Sequence, residues 1–122
     1  MSTETTSQQE LERAAEEMAA RAGEVAKLLK AIGNERRLLV LCQLVGMGEA
    51  SAGTLGTKIG LSQSAMSQHL AVMREEGLLS TRREGTTIFY AIAEPKLTEL
   101  MDTLHRLYCS PSAARSTSNC RR

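Results

Sequence analysis

Apolar positions recur along most of this chain at helical spacing. Leu11, Ala15, Met18, Ala22, Val25, Leu29 and Ile32 lie alternately four and three apart, a heptad seam over three repeats. The seam predicts a long first helix, and its modest Ala positions let a partner helix pack closely. A chain this short cannot fill the whole seam by itself. The first half is expected to lie on a second copy, and the rest to cover the domain's own core. Ile32-Gly33-Asn34 breaks the pattern, and a second helix is predicted from about Glu35, with Leu38, Leu41, Cys42 and Val45 on its apolar face. After a loop over 46–50, Ser51 is placed to cap a short helix carrying Ala52, Leu55 and Ile59. Gly60 supplies a tight turn, and Ser62 is placed to cap a helix carrying Met66, Leu70 and Met73. Gly77 closes that helix. The period then changes to that of strands. Leu78 to Arg83 and Thr86 to Ile92, joined by Glu84-Gly85, read as a β-hairpin. Pro95 suits the first turn of a last helix, striped by Leu97, Leu100, Met101, Leu104 and Tyr108 and stopped by Pro111.

The helix after Ser62 has an unusual outer face. Ser64, Ser67, Gln68 and Ala71 oppose its apolar stripe, and Gln63 opens it. That face is small, polar and neutral, where a merely solvated face more often carries Glu and Lys. Gln can pair with adenine through two hydrogen bonds, Ser adapts as donor or acceptor, and an Ala methyl can touch a thymine methyl. Helix, Gly-containing turn, second helix is the helix-turn-helix arrangement, with the second helix as reader. The plainer alternative is an ordinary αα-hairpin inside a helical bundle. A hairpin following a reading helix is a wing. Arg82 and Arg83, beside its turn, are placed to meet phosphate or an adjacent minor groove, while Glu84 opposes deep insertion.

The words LSQSAMSQHLAVMREEGLL, the upstream KAIGNERRLLVLCQL and the downstream REGTTIFYAI, in that order, resemble the ArsR/SmtB family of bacterial winged helix-turn-helix repressors over about residues 10–109. The resemblance implies a mainly α fold of five helices with a β-hairpin wing between the fourth and fifth. It also implies a homodimer built from the first and last helices, which presents two reading helices to a two-fold, pseudo-palindromic operator in double-stranded DNA. Such a protein works in the cytoplasm as a transcriptional repressor and is not an enzyme. The domain is expected over residues 9–110, with a disordered N-terminus over 1–8 and a disordered tail over 111–122.

Composition changes this picture little. The 122 residues suit one domain, and with no Trp and a single Phe the core must be aliphatic. No apolar run reaches membrane-spanning length, and the first residues have no signal-peptide character. Net charge is only +1, divided between −4 over residues 1–24 and +5 over the remainder. A mildly basic body fits DNA binding weakly. No C-x-x-C and no Gly-rich phosphate loop is present, so neither a thiol enzyme nor a cofactor is indicated.

Three cysteines do not make a structural disulfide framework. Cys42 sits on an apolar helix face, where a thiol is most often an inert small hydrophobe. Cys109 shares a flank of the last helix with Asp102 and His105, three and four residues apart. Asp102, His105 and Cys109 are therefore candidate metal ligands, although a tetrahedral site wants four good ones. His105, one turn before Cys109, could lower its thiol pKa when protonated. A branch of the family that responds to persulfide or redox state carries cysteines in the contexts RLLVLCQL and LYC, which Cys42 and Cys109 match. That resemblance implies a dithiol sensor in which reactive sulfur species join Cys42 to Cys109 by a disulfide or polysulfide bridge, lowering DNA affinity. Cys120 is read as incidental.

Overall fold

The computed structural model describes the backbone of residues 2–109 and the side chains of residues 7–109. Its elements in order are α1 (Ser2–Ile32), α2 (Glu35–Met47), β1 (Ala50–Ser51), α3 (Ala52–Ile59), α4 (Gln63–Glu75), β2 (Leu79–Glu84), β3 (Thr87–Ile92) and α5 (Pro95–Tyr108). Helix α1 is a unit by itself, and the chain from Gly33 onward forms a second unit.

Helix α1 starts at Ser2, inside the stretch whose polarity alone suggested a disordered N-terminus. No Gly or Pro interrupts residues 2–8, and once the seam has nucleated a helix each added residue contributes one further backbone hydrogen bond. Arg21 pairs with Glu24 one turn on. The seam itself is open: Leu11 is 67% exposed and Met18 55%. The expected tail over 111–122, with Pro111 and Cys120, lies outside the described residues.

The second unit is built on local signals that the sequence carries openly. Asn34 caps α2, its Oδ1 accepting from the N–H groups of Arg36 (3.0 Å) and Arg37 (3.1 Å). Ser51 caps α3 by accepting from the Thr54 N–H at 3.2 Å, and Ser62 caps α4 by accepting from the Ala65 N–H at 3.1 Å. Beyond α4, Gly77 has φ +81°, its N–H donates to the Arg74 carbonyl, and the Leu78 N–H donates to the Met73 carbonyl. These two bonds are the Schellman pattern, which satisfies the last carbonyls of α4 and turns the chain into β2. The core gathers Val40, Leu41 and Leu44 from α2, Leu55 from α3, Met66, Leu70 and Met73 from α4, and Leu97 and Met101 from α5.

Three features depart from the periodicity. The buried face of α2 is rotated from the one predicted. Val40, Leu41, Gln43 and Leu44 face inward, while Leu38, Cys42 and Val45 are only half-buried. The apolar stripe of α5 is buried at Leu97 and Met101 but leaves Tyr108 82% exposed, beside Leu107 at 70%. The sheet also has three strands where a hairpin was expected. β1 pairs antiparallel with β3 through Ala50↔Tyr90 and Ser51↔Phe89, and the order is β1-β3-β2. A two-residue strand is too short to show a period, and Ser51 was legible only as a cap. The hairpin turn falls at Gly85-Thr86, one residue later than expected, with Glu84 opposite Thr87. Gly85 has φ +64° and no non-glycine residue among those described has positive φ, so the glycine takes the first central position, as in a type II′ turn.

The turn between α3 and α4 is tighter than its glycine at 60 alone explains. The N–H groups of both Gly60 and Leu61 donate to the Gly56 carbonyl, at 2.7 and 2.9 Å. A Cβ at Gly56 would stand 2.6 Å from the Leu61 carbonyl oxygen, a contact with backbone that no side-chain rotation relieves. Gly56→Ala should therefore cost about 1–3 kcal/mol as overpacking, read as a lower urea midpoint. A Cβ at Gly53 would meet only the Gln63 side chain, at 3.6 Å, so Gly53→Ala should leave the midpoint unchanged or raised. Equal losses in the two variants would mean that the α3–α4 approach does not govern the effect.

Candidate functional site

Helix α4 presents two distinct faces. Met66, Leu70 and Met73 are fully buried, which anchors the helix on α3 and β2. Gln63, Ser64, Gln68 and Ala71 are exposed, and Ser67 is half-exposed. The predicted face is thus brought together on one accessible surface. Its members are not equivalent. The Gln63 side chain lies against Gly53 of α3, whereas Gln68, one turn and more further on, stands clear of that contact. Val72 adds an exposed apolar side chain towards the end of the same helix.

The wing separates its two arginines. Neighbouring strand residues point to opposite faces of a sheet, so Arg82 (opposite Phe89) and Arg83 (opposite Ile88) address different sides. Arg83 is exposed and makes no ion pair among the described residues. Arg82 is engaged within the molecule. Its Nε donates to both carboxylate oxygens of Glu49 at 3.0 Å, and its Nη2 also bonds to that carboxylate. Its Nη1 reaches Glu84 at 3.4 Å, and its guanidinium lies 4.7 Å from the centre of the Phe89 ring. Chiefly through its hydrogen bond, Arg82 holds the Glu49 carboxyl below the usual carboxylate range, and Glu49 raises Arg82 in turn. The pair is therefore charged at neutral pH and weakens only as pH falls through the lowered carboxylate value. The sequence had set Arg82 beside Arg83 as a phosphate contact. Nothing local in it pairs residues 49 and 82.

The thiols occupy different environments. Cys42 is a free, half-buried thiol, and burial pushes its pKa up. Desolvation disfavours the thiolate, which is the reactive form. Cys109 lies at the end of α5, where its N–H donates to the His105 carbonyl at 2.7 Å. Cys109 is disulfide-bonded, and since Cys42 is free, the bond is not the anticipated one to Cys42. Helix α2, which carries Cys42, packs against α5. His105 has a buried Nε2 that makes no hydrogen bond. Asp102 is exposed, and no group of three or more His, Cys, Asp and Glu among the described residues is arranged to hold a metal ion. Among the described residues Asp102, His105 and Cys109 thus share a flank without forming a ligand set, because the three and four spacing aligns them along the helix and no second described element adds a donor. Among the described residues no helix is long and apolar enough to cross a membrane.

Known proteins share this arrangement. Residues 34–81 match the model of the family described as "Bacterial regulatory protein, arsR family". The transcriptional activator HlyU of Vibrio cholerae is 46% identical over 94 residues, covering 77% of this chain and 86% of that protein. The biofilm growth-associated repressor of Agrobacterium fabrum is 44% identical over 94 residues, covering 77% and 80%. Among solved structures, the repressor BigR of Xylella fastidiosa superposes with a TM-score of 0.73 at 43% identity, covering 79% of this chain and 97% of that one. HlyU of Vibrio cholerae in its reduced form superposes with a TM-score of 0.71 at 46% identity, covering 77% and 98%.

Proposed function

The chain belongs to the arsR family of bacterial regulatory proteins, and from that premise we propose that it is an operator-binding repressor released by reactive sulfur through Cys42 and Cys109. As a winged-helix, DNA-binding transcriptional regulator it needs two copies of α4 about 34 Å apart to enter successive major grooves of a two-fold site. The open α1 seam and the exposed Leu107 and Tyr108 of α5 are the surfaces a second copy covers in this reading. Gln63, Ser64, Ser67 and Gln68 meet base edges, and Arg83 meets phosphate.

The observation that supports the switch is the packing of α2 on α5, one carrying Cys42 and the other ending at Cys109. Burial raises the pKa of Cys42, and in this reading Cys109 is therefore the thiol that reacts first. In the fully reduced protein the Cys109 thiolate attacks the outer sulfur of a persulfide RS–SH, forming Cys109–S–SH and releasing RSH. Cys42 then attacks the Cys109 sulfur, forming the Cys42–Cys109 disulfide and expelling hydrosulfide. Where Cys42 has also gained a sulfur, the same displacement closes a trisulfide. The tie between α2 and α5 changes the tilt between the two reading helices, and a tenfold loss of affinity needs only ~1.4 kcal/mol of difference between the two states.

The test is an operator titration of reduced protein, repeated after persulfide, peroxide and metal, with the peptides weighed afterwards. Persulfide should weaken binding and yield a cross-linked Cys42–Cys109 peptide. Release without that cross-link refutes the switch. Release of the reduced protein by a metal or metalloid, with none by persulfide, selects the alternative of a metal-responsive repressor, as the structurally similar antimony-specific repressor AntR is.

A further inference from the structure

Arg82 stands exposed in the wing, yet its charge is paired with Glu49 of the same chain. Phe89 of the central strand lies opposite Ser51 on one side and opposite Arg82 on the other, so these three residues form one row across the sheet. Glu49, two residues before Ser51, falls on the same side of the pleat. The Arg82 side chain crosses the Phe89 ring and closes on the Glu49 carboxylate. It thus spans the sheet from β2, over β3, to the segment leading into β1.

That segment is where the wing joins the reading unit. Ser51 is at once the last residue of β1 and the N-cap of α3, and α3 leads through the tight Gly56–Leu61 approach into α4. Two residue pairs between β1 and β3 are little to hold a hairpin at a fixed angle. We propose that Glu49 and Arg82 form a clamp that sets the angle of the wing to the reading helix, making Arg82 a positioning residue and leaving phosphate contact to Arg83. The proposal rests on the operator-binding reading above. A planar guanidinium suits the task, because it can take the carboxylate by two N–H groups while stacking on an aromatic ring, which an ammonium cannot do.

The rival assignment makes Arg82 a phosphate contact held in reserve by Glu49, and the two differ in sign. Each phosphate contact contributes about one unit to the slope of log affinity against log salt. With the full chain and its operator, Arg82→Gln should weaken binding about threefold to fivefold with the slope unchanged. Arg83→Gln should flatten the slope by about one unit per copy. In the free protein, Glu49→Gln and Arg82→Gln should each speed amide exchange at Ala50, Ser51, Phe89 and Tyr90. The double variant should exchange no faster than either single one, since the pair is broken once. A flatter slope in Arg82→Gln, or tighter binding with a steeper slope in Glu49→Gln, overturns the clamp in favour of a held phosphate contact. Unchanged amide exchange in both single variants overturns it outright. The exchange measurement needs no DNA, so a chain that failed to recognise any operator would refute the operator-binding reading while leaving the clamp decided on its own result.

Discussion

In a chain carrying Cys120→Ser, so that two thiols remain, Cys109→Ser should abolish the response to persulfide completely, with operator affinity the same before and after treatment. The complementary variant should fail differently. Cys42→Ser keeps the thiol that reacts first, so Cys109 should still gain a sulfur atom, seen by mass, while no cross-link forms and DNA is not released. The asymmetry follows from burial. Desolvation raises the Cys42 pKa and leaves little thiolate near neutral pH. It also predicts a pH profile. Closure of the bridge should go on accelerating with pH beyond the point where an ordinary thiol levels off, because the raised group reaches its thiolate form later. If Cys42 gains sulfur in the Cys109→Ser chain as fast as Cys109 does in the Cys42→Ser chain, the order is wrong. If the Cys109→Ser chain still releases DNA normally, the dithiol is not the switch.

Where the sequence was informative, the information was local. The caps at Ser51 and Ser62, the buried stripe of Met66, Leu70 and Met73, the Gly77 exit and Pro95 at the start of α5 each depend on residues within a turn or two of one another. The exposed face of α4 follows from the same period that buries its opposite side. What stayed hidden was long-range or without a period. The Glu49–Arg82 pair joins residues 33 apart and leaves no trace in spacing. Strand β1 is two residues long, and Ser51 had already been accounted for as a cap. The approach of Gly56 to Leu61 was masked by Gly60, the glycine that turn chemistry points to first. The face of α2 was misjudged because its apolar residues Leu38, Val40, Leu41, Cys42, Leu44 and Val45 together wrap more than half the helix, so that periodicity alone did not fix which side is buried.

The small charge of the chain decides which contacts carry recognition. Non-specific affinity for DNA comes from neutralised phosphates, and in this chain 15 Lys and Arg are nearly balanced by 14 Asp and Glu, with Arg82 itself paired to Glu49. On the operator-binding reading, base-edge contacts from α4 are then expected to supply a larger share of the discrimination. Of its two glutamines, Gln63 is drawn against Gly53, while Gln68 is exposed and its side chain makes no hydrogen bond among the described residues. Gln68 is thus the side chain free to form a two-bond contact with adenine, a contact that contributes about 1–3 kcal/mol of discrimination. Gln68→Ala should weaken operator binding at least about fivefold per half-site, and affinity for unrelated duplex less than about twofold. The salt slope should stay where it was, since no phosphate contact is removed. Because the side chain is exposed, the urea midpoint should hold as well, which separates lost reading from lost folding. Equal losses on operator and unrelated DNA would make Gln68 a residue that positions α4, and would pass the reading role to Ser64 and Ser67.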